Sequence, residues 1–297
     1  MSGTVTGRPA TTAPESFGAR LRAAMDTRGP LCVGIDPHAS LLADWGLSDD
    51  PAGLERFART AVAALAPHVA VVKPQSAFFE RFGSRGIAVL ERTIADARAA
   101  GALVVTDVKR GDVGSTMAAY AAAYLDPASP LCSDAITVSP YLGFEALRPA
   151  LDLARDSGAG VFVLAMTSNP EGAEVQRAAR ADGRSVAAAV LDRIRAENDG
   201  VTPWGSLGAV VGATVADAAA RFAADGSVNG PLLAPGIGAQ GATPADLPAV
   251  FGPVVREVLP SVSRGVLRFG PDPAALRTAA ARLTEEVRTA VGEPPRE

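Results

Sequence analysis

The chain has 297 residues, 48% hydrophobic and 20% charged, which is enough for one large domain or two ordinary ones. Its formal net charge of -4 argues against a general nucleic-acid surface, but not against a local basic pocket for one small anion. Because only 5% of the residues are aromatic, the core must be aliphatic. The two cysteines, Cys32 and Cys132, lie in or beside apolar runs, which favours buried reduced thiols over a metal site or a nucleophile.

The N-terminal sequence MSGTVTGRPATTAPES is polar and rich in threonine and proline. It lacks the apolar stretch of a secretory signal, so we predict a flexible tail over residues 1–16. A second, proline-containing tail is predicted over residues 292–297. No uninterrupted apolar segment is long enough to span a bilayer. These features predict a soluble, cytoplasmic protein that binds neither membranes nor nucleic acid.

Short apolar runs recur along the chain, and each is followed by a helical pattern. The predicted strands are Leu31–Asp36, Val69–Pro74, Leu103–Lys109, Ala135–Pro140, Gly160–Ser168, Leu207–Thr214, Pro231–Gly236 and Val258–Ser263. The clearest helices are predicted at Gly53–Ala66, Gly86–Ala100, Phe144–Asp156, Val186–Glu197, Val215–Ala224 and Pro273–Val291. Strict alternation of strands and helices favours a parallel sheet with helices outside it.

Eight strand–helix units in a chain of this length predict a single-domain α/β protein, a (β/α)8 TIM barrel over residues 17–291. An open doubly wound sheet is the alternative. The eighth predicted strand contains Pro260, which fits poorly into a fully paired strand. We interpret the segment Asn169–Ser206 as an elaborated connection after strand five rather than as a second domain.

Charged residues cluster where the third predicted strand ends. The sequence LVVTDVKRGDVGST begins as an apolar run and continues with Asp107, Lys109 and Asp112. Asp107 and Lys109 are two residues apart and therefore share one face of the strand. The C-terminal ends of strands are where α/β folds place their chemistry, so the cluster predicts a functional site. A structural network of salt bridges is the alternative, although buried ion pairs are weak stabilisers.

Polar residues also follow other predicted strands at the same end. The first strand ends in Asp36 and the second in Lys73. Lysines that alternate with carboxylates each keep their charge at neutral pH, which indicates a preorganised site. The alternative for Asp36 is a carboxylate at the edge of the barrel that contacts no ligand.

A second group of residues indicates an anion site. The sequence PGIGAQG follows strand seven and contains Gly236, Gly238 and Gly241, which allow the backbone to approach an anion. Gln240 can donate an amide N–H, and Arg264, after strand eight, can make a two-pronged contact with phosphate oxygens. The glycines alone are equally consistent with a simple turn. Arg264 is the residue that favours a phosphate site.

The motifs DVKRGD, with Lys73 on the preceding strand, PGIGAQG and SRG stand in the order typical of orotidine 5'-monophosphate decarboxylases. The chain resembles that family from Leu31 to Leu267, and its longer bacterial (type 2) branch most closely. The resemblance implies a (β/α)8-barrel homodimer that converts orotidine 5'-monophosphate to UMP. It also implies that the reaction needs neither a metal nor an organic cofactor.

The resemblance further implies roles for individual residues. The family's Lys-Asp-Lys-Asp array matches Lys73, Asp107, Lys109 and Asp112, with Lys109 as the proton donor to C6 of the pyrimidine. Asp112 is expected to reach the site of the neighbouring subunit, with Thr116 beside it. The implied contacts to ribose, base and phosphate come from Asp36, Ser168 (with Thr167 as the alternative), Pro235, Gln240 and Arg264.

Two other functions stay open at this point. A magnesium-dependent sugar-phosphate lyase of the same superfamily also carries a DxKxxD motif, but its second strand supplies a carboxylate where this chain has Lys73. A catalytically silent nucleotide-binding barrel would need the phosphate site but not the proton donor Lys109. The two histidines, His38 and His68, form no cluster of metal-ligand type, so we predict surface or packing roles for both.

Overall fold

The computed structural model describes residues 14–215, 218–238 and 241–292 of the chain. Eight parallel strands form a closed barrel in which neighbours in the chain are neighbours in the sheet, and the first strand pairs with the last. The strands are β1 (Cys32–Ile35), β2 (Val71–Pro74), β3 (Leu103–Arg110), β4 (Ala135–Val138), β5 (Gly160–Met166), β6 (Leu207–Val211), β7 (Leu232–Pro235) and β8 (Val258–Val262).

All eight predicted strands are confirmed, and the sheet closes where Cys32 of β1 is paired with Ser261 of β8. The open doubly wound alternative is therefore wrong. β8 runs through Pro260, which is paired with Ala234 of β7. The pairing of β8 with β1 begins only at Ser261, so the missing N–H of Pro260 falls before the part of β8 that is paired on both sides.

Helices cover the outside of the barrel. In the described ranges they are α1 (Phe17–Arg28), α2 (Ala39–Asp44), α3 (Pro51–Leu65), α4 (Ser76–Glu80), α5 (Gly83–Ala99), α6 (Gly114–Leu125), α7 (Arg148–Ser157), α8 (Ala173–Gln176), α9 (Val186–Glu197), α10 (Ala218–Asp225), α11 (Leu247–Phe251), α12 (Arg264–Leu267) and α13 (Pro273–Val291). Short 3-10 helices lie at Phe144–Leu147, Pro170–Gly172, Pro244–Asp246 and Gly252–Glu257.

Two helices, α9 and α13, have the predicted bounds because polar side chains cap their first turns. Ser185 accepts the backbone N–H of Ala188 before α9, and Asp272 accepts the N–H groups of Ala274 and Ala275 before α13. The other four helices differ from their predictions. α3 covers Pro51–Leu65 instead of Gly53–Ala66, and α5 covers Gly83–Ala99 instead of Gly86–Ala100. The helix predicted from Phe144 starts as a 3-10 turn before α7, and the one predicted from Val215 starts at Ala218, with residues 216–217 outside the described ranges.

The N-terminal end of the barrel is closed by α1. Phe17 is fully buried, and its ring meets that of Phe162 edge-on with 5.9 Å between centroids. A Cβ at Gly160 would lie 2.1 Å from the Phe17 ring, so this position on β5 has room for glycine only. Ser16 caps α1 by accepting the N–H of Ala19. With this end filled by apolar side chains, a ligand must enter from the C-terminal ends of the strands.

Cys32 and Cys132 are buried and unpaired, as predicted. Among the described residues, no helix has both the length and the apolar character needed to cross a membrane. Most of the two predicted tails, residues 1–13 and 293–297, lies outside the described ranges.

Candidate active site

Asp107 and Lys109 project from the end of β3. This strand pairs regularly with β4 up to Thr106, after which the register shifts and the next pair joins Arg110 to Val138. Within the irregular stretch Lys109 has a φ of 47°, in the left-handed region that residues with a Cβ seldom adopt. The two charged side chains meet on one side of the strand, as predicted, with Lys109 Nζ 2.6 Å from Asp107 Oδ1.

Three charged side chains form a continuous chain of ion pairs. Lys73 Nζ, on β2, donates to Asp107 Oδ2 at 3.1 Å, and Lys109 Nζ donates to Asp107 Oδ1. Lys73 and Asp107 are only 6% and 7% exposed, whereas the Lys109 side chain is 45% exposed. The carboxylate is therefore shared between a buried cation and an accessible one.

Burial alone would neutralise these groups, and their mutual attraction opposes that effect. Desolvation raises the pKa of Asp107, but the ammonium groups of Lys73 and Lys109 and a hydrogen bond from Thr137 hold it well below its usual range. Desolvation likewise lowers the pKa of Lys73, but the carboxylates of Asp107 and Asp36 hold it above its usual range. Lys73 and Asp107 are therefore both charged at neutral pH.

A threonine of β4 joins the side chain of Asp107 to the backbone of Lys109. Thr137 Oγ1 accepts the N–H of Lys109 at 3.0 Å and donates to Asp107 Oδ1 at 2.7 Å. Gln75, directly after β2, accepts a longer bond of 3.4 Å from Lys73 Nζ. Neither Thr137 nor Gln75 could be identified from the sequence, because a single polar residue in or beside an apolar strand gives no sign of its partner on the next strand.

Asp36 and Ser263 directly follow the adjacent strands β1 and β8, and each has a side-chain oxygen that, unlike those of Asp107, is not hydrogen-bonded to another described residue. Asp36 Oδ1 and Ser263 Oγ are buried and have no hydrogen-bond partner in the described part of the chain. Their side chains are neighbours, since a Cβ at Gly34 would lie 3.0 Å from Ser263 Cβ and 3.1 Å from Asp36 Oδ2. Buried polar atoms are nearly always hydrogen-bonded in folded proteins, so this pair of oxygens indicates a position for a ligand hydroxyl or a water molecule.

Arg264 begins α12 directly after β8, and His38 follows β1; both line the same cavity as Lys109. The His38 ring packs edge-on against Phe78 with 4.3 Å between centroids. The predicted packing role of His38 is therefore incomplete, because the ring also forms part of the cavity wall. Burial lowers the pKa of His38, with Asp36 opposing this shift and Arg264 adding to it.

Gln176, on α8, holds the end of β5. Its Oε1 accepts the N–H of Thr167 at 2.8 Å, and its Nε2 donates to Thr167 Oγ1 at 2.6 Å. The Thr167 hydroxyl in turn donates to Asn169 Oδ1 at 2.7 Å. Thr167 and Ser168 both line the cavity, but the polar groups of Thr167 are bonded to the connection that follows β5. One role of this elaborated connection is thus to fix the strand end that faces the cavity.

The loop after β7 has backbone conformations that favour glycine. Gly236, Gly238 and Gly241 have φ angles of 116°, 80° and 95°. The loop turns back on itself where the N–H of Gly241 donates to the carbonyl of Gly238 at 3.0 Å. Pro235 and Gly236 line the cavity, whereas the predicted phosphate ligand Gln240 lies outside the described residues.

One cavity of about 480 Å³ joins these side chains at the C-terminal end of the barrel, a size typical of sites for small ligands. Leu164, Val210 and Leu233 give it an apolar wall. In the described chain, Asp112 and Thr116 lie outside this cavity, and Thr116 is exposed. The predicted site residues that line it are Asp36, Lys73, Asp107, Lys109, Ser168, Pro235 and Arg264.

The side chains around the cavity do not form a metal-binding site or an activated cysteine within the described part of the chain. Among the described residues, no group of three or more His, Cys, Asp and Glu side chains could hold a metal ion. The end of β2, where a magnesium-dependent lyase would carry a carboxylate, is occupied by the ammonium group of Lys73, which repels a cation. Burial raises the pKa of Cys32, on β1, to about 12, so its thiol is not an activated nucleophile.

Fixed charges at the open end of a closed (β/α)8 barrel, with an arginine and a glycine-rich loop following its last two strands, define an enzyme-type barrel suited to a small phosphorylated ligand. Comparison with known proteins makes the class specific. The chain belongs to the orotidine 5'-phosphate decarboxylase / HUMPS family, whose profile matches residues 29–279. The family resemblance predicted from the motifs is thereby confirmed.

Individual relatives match over nearly their whole length. A Streptomyces coelicolor protein named orotidine 5'-phosphate decarboxylase is 71% identical over 277 residues, which cover 93% of this chain and 99% of the relative. A Salinispora arenicola protein of the same name is 64% identical over 277 residues, with the same two coverages of 93% and 99%. Assignment to the longer bacterial branch stays a prediction.

Solved structures agree with the fold. The crystal structure of a Streptomyces avermitilis protein, described as a candidate orotidine 5'-phosphate decarboxylase, has a TM-score of 0.91 and 71% identity, covering 95% of this chain and 98% of that one. The structure of Leishmania donovani OMP decarboxylase has a TM-score of 0.74 and 34% identity, covering 93% and 99%.

Proposed function

We infer that this chain decarboxylates orotidine 5'-monophosphate to UMP, the last step of UMP biosynthesis. The observation that carries the inference is the ion-paired array of Lys73, Asp107 and Lys109 in a chain 71% identical to a protein named orotidine 5'-phosphate decarboxylase. A cytoplasmic location fits this biosynthetic role and is part of the proposal.

The chemistry of the reaction explains why such a site carries an accessible lysine. Loss of CO2 from C6 of the pyrimidine leaves a carbanion that the ring cannot delocalise into a carbonyl group. An ammonium group beside C6 stabilises the developing negative charge and then donates its proton to that carbon, which gives UMP. Lys109 suits this role because its side chain is accessible while its ion pair with Asp107 fixes its position.

Asp107 has two functions in this proposal. It holds both lysines in place through its two oxygens, and it lies beside the carboxylate that the substrate loses. Repulsion between the two carboxylates is relieved as CO2 departs. The buried Lys73 balances the charge of Asp107, which allows a second negative group to approach.

The remaining residues of the cavity are proposed to hold the nucleotide. Asp36 accepts hydrogen bonds from ribose hydroxyls, since its Oδ1 has no partner among the described residues. Arg264 and Gln240 bind the phosphate group, which a guanidinium group can contact with two parallel bonds. Ser168 contacts the amide edge of the pyrimidine, and Pro235 lies beside the base. Asp36, Ser168, Pro235 and Arg264 all line one cavity, which supports their joint action on one ligand.

We further propose a homodimer in which each subunit completes the site of the other. Asp112 and Thr116 lie outside the cavity of their own chain, so they are available to a neighbouring one. Beside them, the loops after β3 and β4 expose the apolar side chains of Val113, Tyr141 and Leu142 to 56%, 77% and 52%. Large exposed apolar side chains are typical of interaction surfaces, and in the proposed dimer a second copy of the chain would cover them.

Subunit mixing tests the shared site. An Asp112→Ala chain and a Lys109→Ala chain should each be inactive alone, whereas their heterodimer contains one site with both native residues. Random reassembly of equal amounts should restore about one quarter of wild-type activity, because about half of the dimers are mixed and each carries one intact site. Recovery of no activity in a verified heterodimer would reject the shared site.

The proposed activity itself is tested by adding purified protein to orotidine 5'-monophosphate with EDTA present. We expect the pyrimidine absorbance to change as UMP forms, with a Lys109→Ala preparation as the control for contaminating enzyme. Activity that disappears with EDTA and returns with magnesium would favour the magnesium-dependent lyase. Tight binding of UMP without any turnover would favour the silent nucleotide-binding barrel.

A further inference from the structure

We propose that Thr137 is a positioning residue for the proton donor, an inference that rests on the proposed function of Lys109. The Thr137 hydroxyl accepts the backbone N–H of Lys109 at 3.0 Å and donates to Asp107 Oδ1 at 2.7 Å. Asp107 Oδ1 also accepts from Lys109 Nζ at 2.6 Å. One hydroxyl thus ties the backbone of the lysine to the same carboxylate oxygen that holds its ammonium group.

The backbone of Lys109 needs such a restraint. Its φ of 47° is a conformation that residues with a side chain adopt rarely and only when the surroundings enforce it. The register between β3 and β4 shifts between Thr106 and Arg110, so Lys109 lies outside the regular ladder of paired residues. The Thr137 hydroxyl receives its N–H within this irregular stretch and holds the strand end in the bent conformation.

The surroundings of Thr137 show that its hydroxyl is directed at the site. Thr137 is 2% exposed and lies on β4 between the buried apolar residues Ile136 and Val138. Its side chain lines the cavity together with Asp107 and Lys109. Valine would fill the same space on this strand, so the polar atom contributes through its two hydrogen bonds and not through its volume.

The test compares Thr137→Val with Thr137→Ser. Thr137→Val removes both hydrogen bonds, and we expect kcat to fall by about 10- to 100-fold because small misplacements of reacting groups have effects of that size. KM and the affinity for UMP should change by less than about threefold, since contacts to the bound nucleotide are retained. Thr137→Ser keeps the donor and the acceptor and should stay within about threefold of wild-type kcat.

Two controls separate positioning from a general loss of structure. Thr93→Val removes a buried hydroxyl that bonds to the carbonyl of Val89 within α5, away from the residues that line the cavity, and should leave kcat unchanged. If Thr137→Val does not fold, Thr137→Ala removes the same hydroxyl and carries the test. Wild-type kcat in either folded variant overturns the proposal, and so does an equal loss of kcat in Thr137→Ser.

A crystal structure of Thr137→Val gives a readout that does not depend on activity. We expect Lys109 to leave the left-handed conformation, or its Nζ to move away from Asp107 Oδ1. Unchanged positions of both would overturn the positioning role. Failure of the wild-type chain to decarboxylate orotidine 5'-monophosphate would instead reject the proposed function, while the crystal structure would still report on the restraint by Thr137.

Discussion

The polar side chains on two sides of the cavity differ in whether they have hydrogen-bond partners within the described part of the chain. On the side formed by β2, β3 and β4, the catalytic side, Asp107, Lys109 and Thr137 are hydrogen-bonded to one another within the chain. On the side formed by β1 and β8, the binding side, Asp36 Oδ1 and Ser263 Oγ are buried without a partner among the described residues. The difference distinguishes groups that are preorganised for the reaction from groups that a ligand completes.

Electrostatics explains why the two sides differ. A buried charge without a counter-charge costs several kcal/mol, so Lys73 and Asp107 can be buried only together. A buried hydroxyl without a partner costs about 1–3 kcal/mol, which a folded barrel tolerates more easily. That cost is recovered when a bound ligand supplies the missing hydrogen bond. Lys73 and Asp107 therefore have their hydrogen-bond partners within the chain. The charge of Asp36 is balanced by that of Lys73, but Asp36 Oδ1 and Ser263 Oγ have no hydrogen-bond partner among the described residues and can obtain one from the nucleotide.

The largest effect is expected on the catalytic side, from Lys109→Ala. Without the proton donor, turnover of orotidine 5'-monophosphate should fall by at least about 1000-fold, within the range found for positioned acids and bases. UMP has no C6 carboxylate and is bound mainly by other residues of the cavity, so its affinity should stay within about threefold of wild type. Stopped assays of UMP formation and calorimetric titration with UMP measure the two quantities. Unchanged turnover would reject the assigned role of Lys109.

Asp107→Asn tests the statement that the buried lysine depends on its counter-ion. Removing one partner of a buried ion pair should lower the free energy of unfolding by about 3 kcal/mol, measured by denaturant titration. The matched control is Asp96→Asn, which breaks an exposed pair with Arg59 at 2.8 Å and should cost less than about 1 kcal/mol. Similar losses in the two variants would show that the catalytic side has no special need for paired charges.

The pH dependence of that difference follows from the direction of the pKa shift. The pKa of Asp107 is lower in the folded chain than in the unfolded chain, where it is about 3.9. Its contribution to stability is therefore fully present above the unfolded value and is lost as the pH falls toward the folded value. The stability difference between wild type and Asp107→Asn should be constant from about pH 5 to 7 and shrink below about pH 4. A difference that persists undiminished to about pH 2 would contradict the shift.

Much of the fold could be predicted because strand and helix patterns alternate along the chain without interruption. Every predicted strand is present, and the two helices that follow Ser185 and Asp272 have the predicted bounds. α3, which Asp50 caps, begins two residues before its predicted start at Gly53. The start of the helix predicted from Val215 was misplaced, since an apolar residue at a strand–helix junction fits either element. Whether Pro260 fits in a strand depends on where β8 begins to pair with β1. The sequence around Pro260 gives no information about that position.

Some residues of the candidate site could also be predicted from the sequence, and others could not. Lys73, Asp107 and Lys109 could be predicted because charged residues at strand ends stand out from the apolar runs before them. Thr137 could not, because its importance depends on which atoms lie across a strand boundary. The left-handed backbone of Lys109 is likewise a tertiary property, produced by the register shift between β3 and β4.

On the binding side, Asp36→Ala should weaken nucleotide affinity more than it slows the chemical step. Hydrogen bonds to a charged group contribute about 1.5–3 kcal/mol, so the dissociation constant for UMP should rise by about 10- to 100-fold. The exposed Asp44, at the end of α2, offers a matched control, and Asp44→Ala should bind UMP as the wild type does. Calorimetric titration with UMP measures both. If Asp36→Ala bound UMP normally, the carboxylate of Asp36 would have no role in holding ribose.

The smallest effect distinguishes the two sides most directly, because it removes a single hydroxyl from the binding side. Ser263 Oγ has no partner among the described residues, so Ser263→Ala should leave the free energy of unfolding unchanged or raise it slightly. If a nucleotide hydroxyl or phosphate oxygen supplies the missing bond, UMP affinity should fall by about fivefold, equivalent to about 1 kcal/mol. A loss of stability without a loss of affinity would show that the Ser263 hydroxyl serves the fold, and the contrast with the catalytic side would then depend on Asp36 alone.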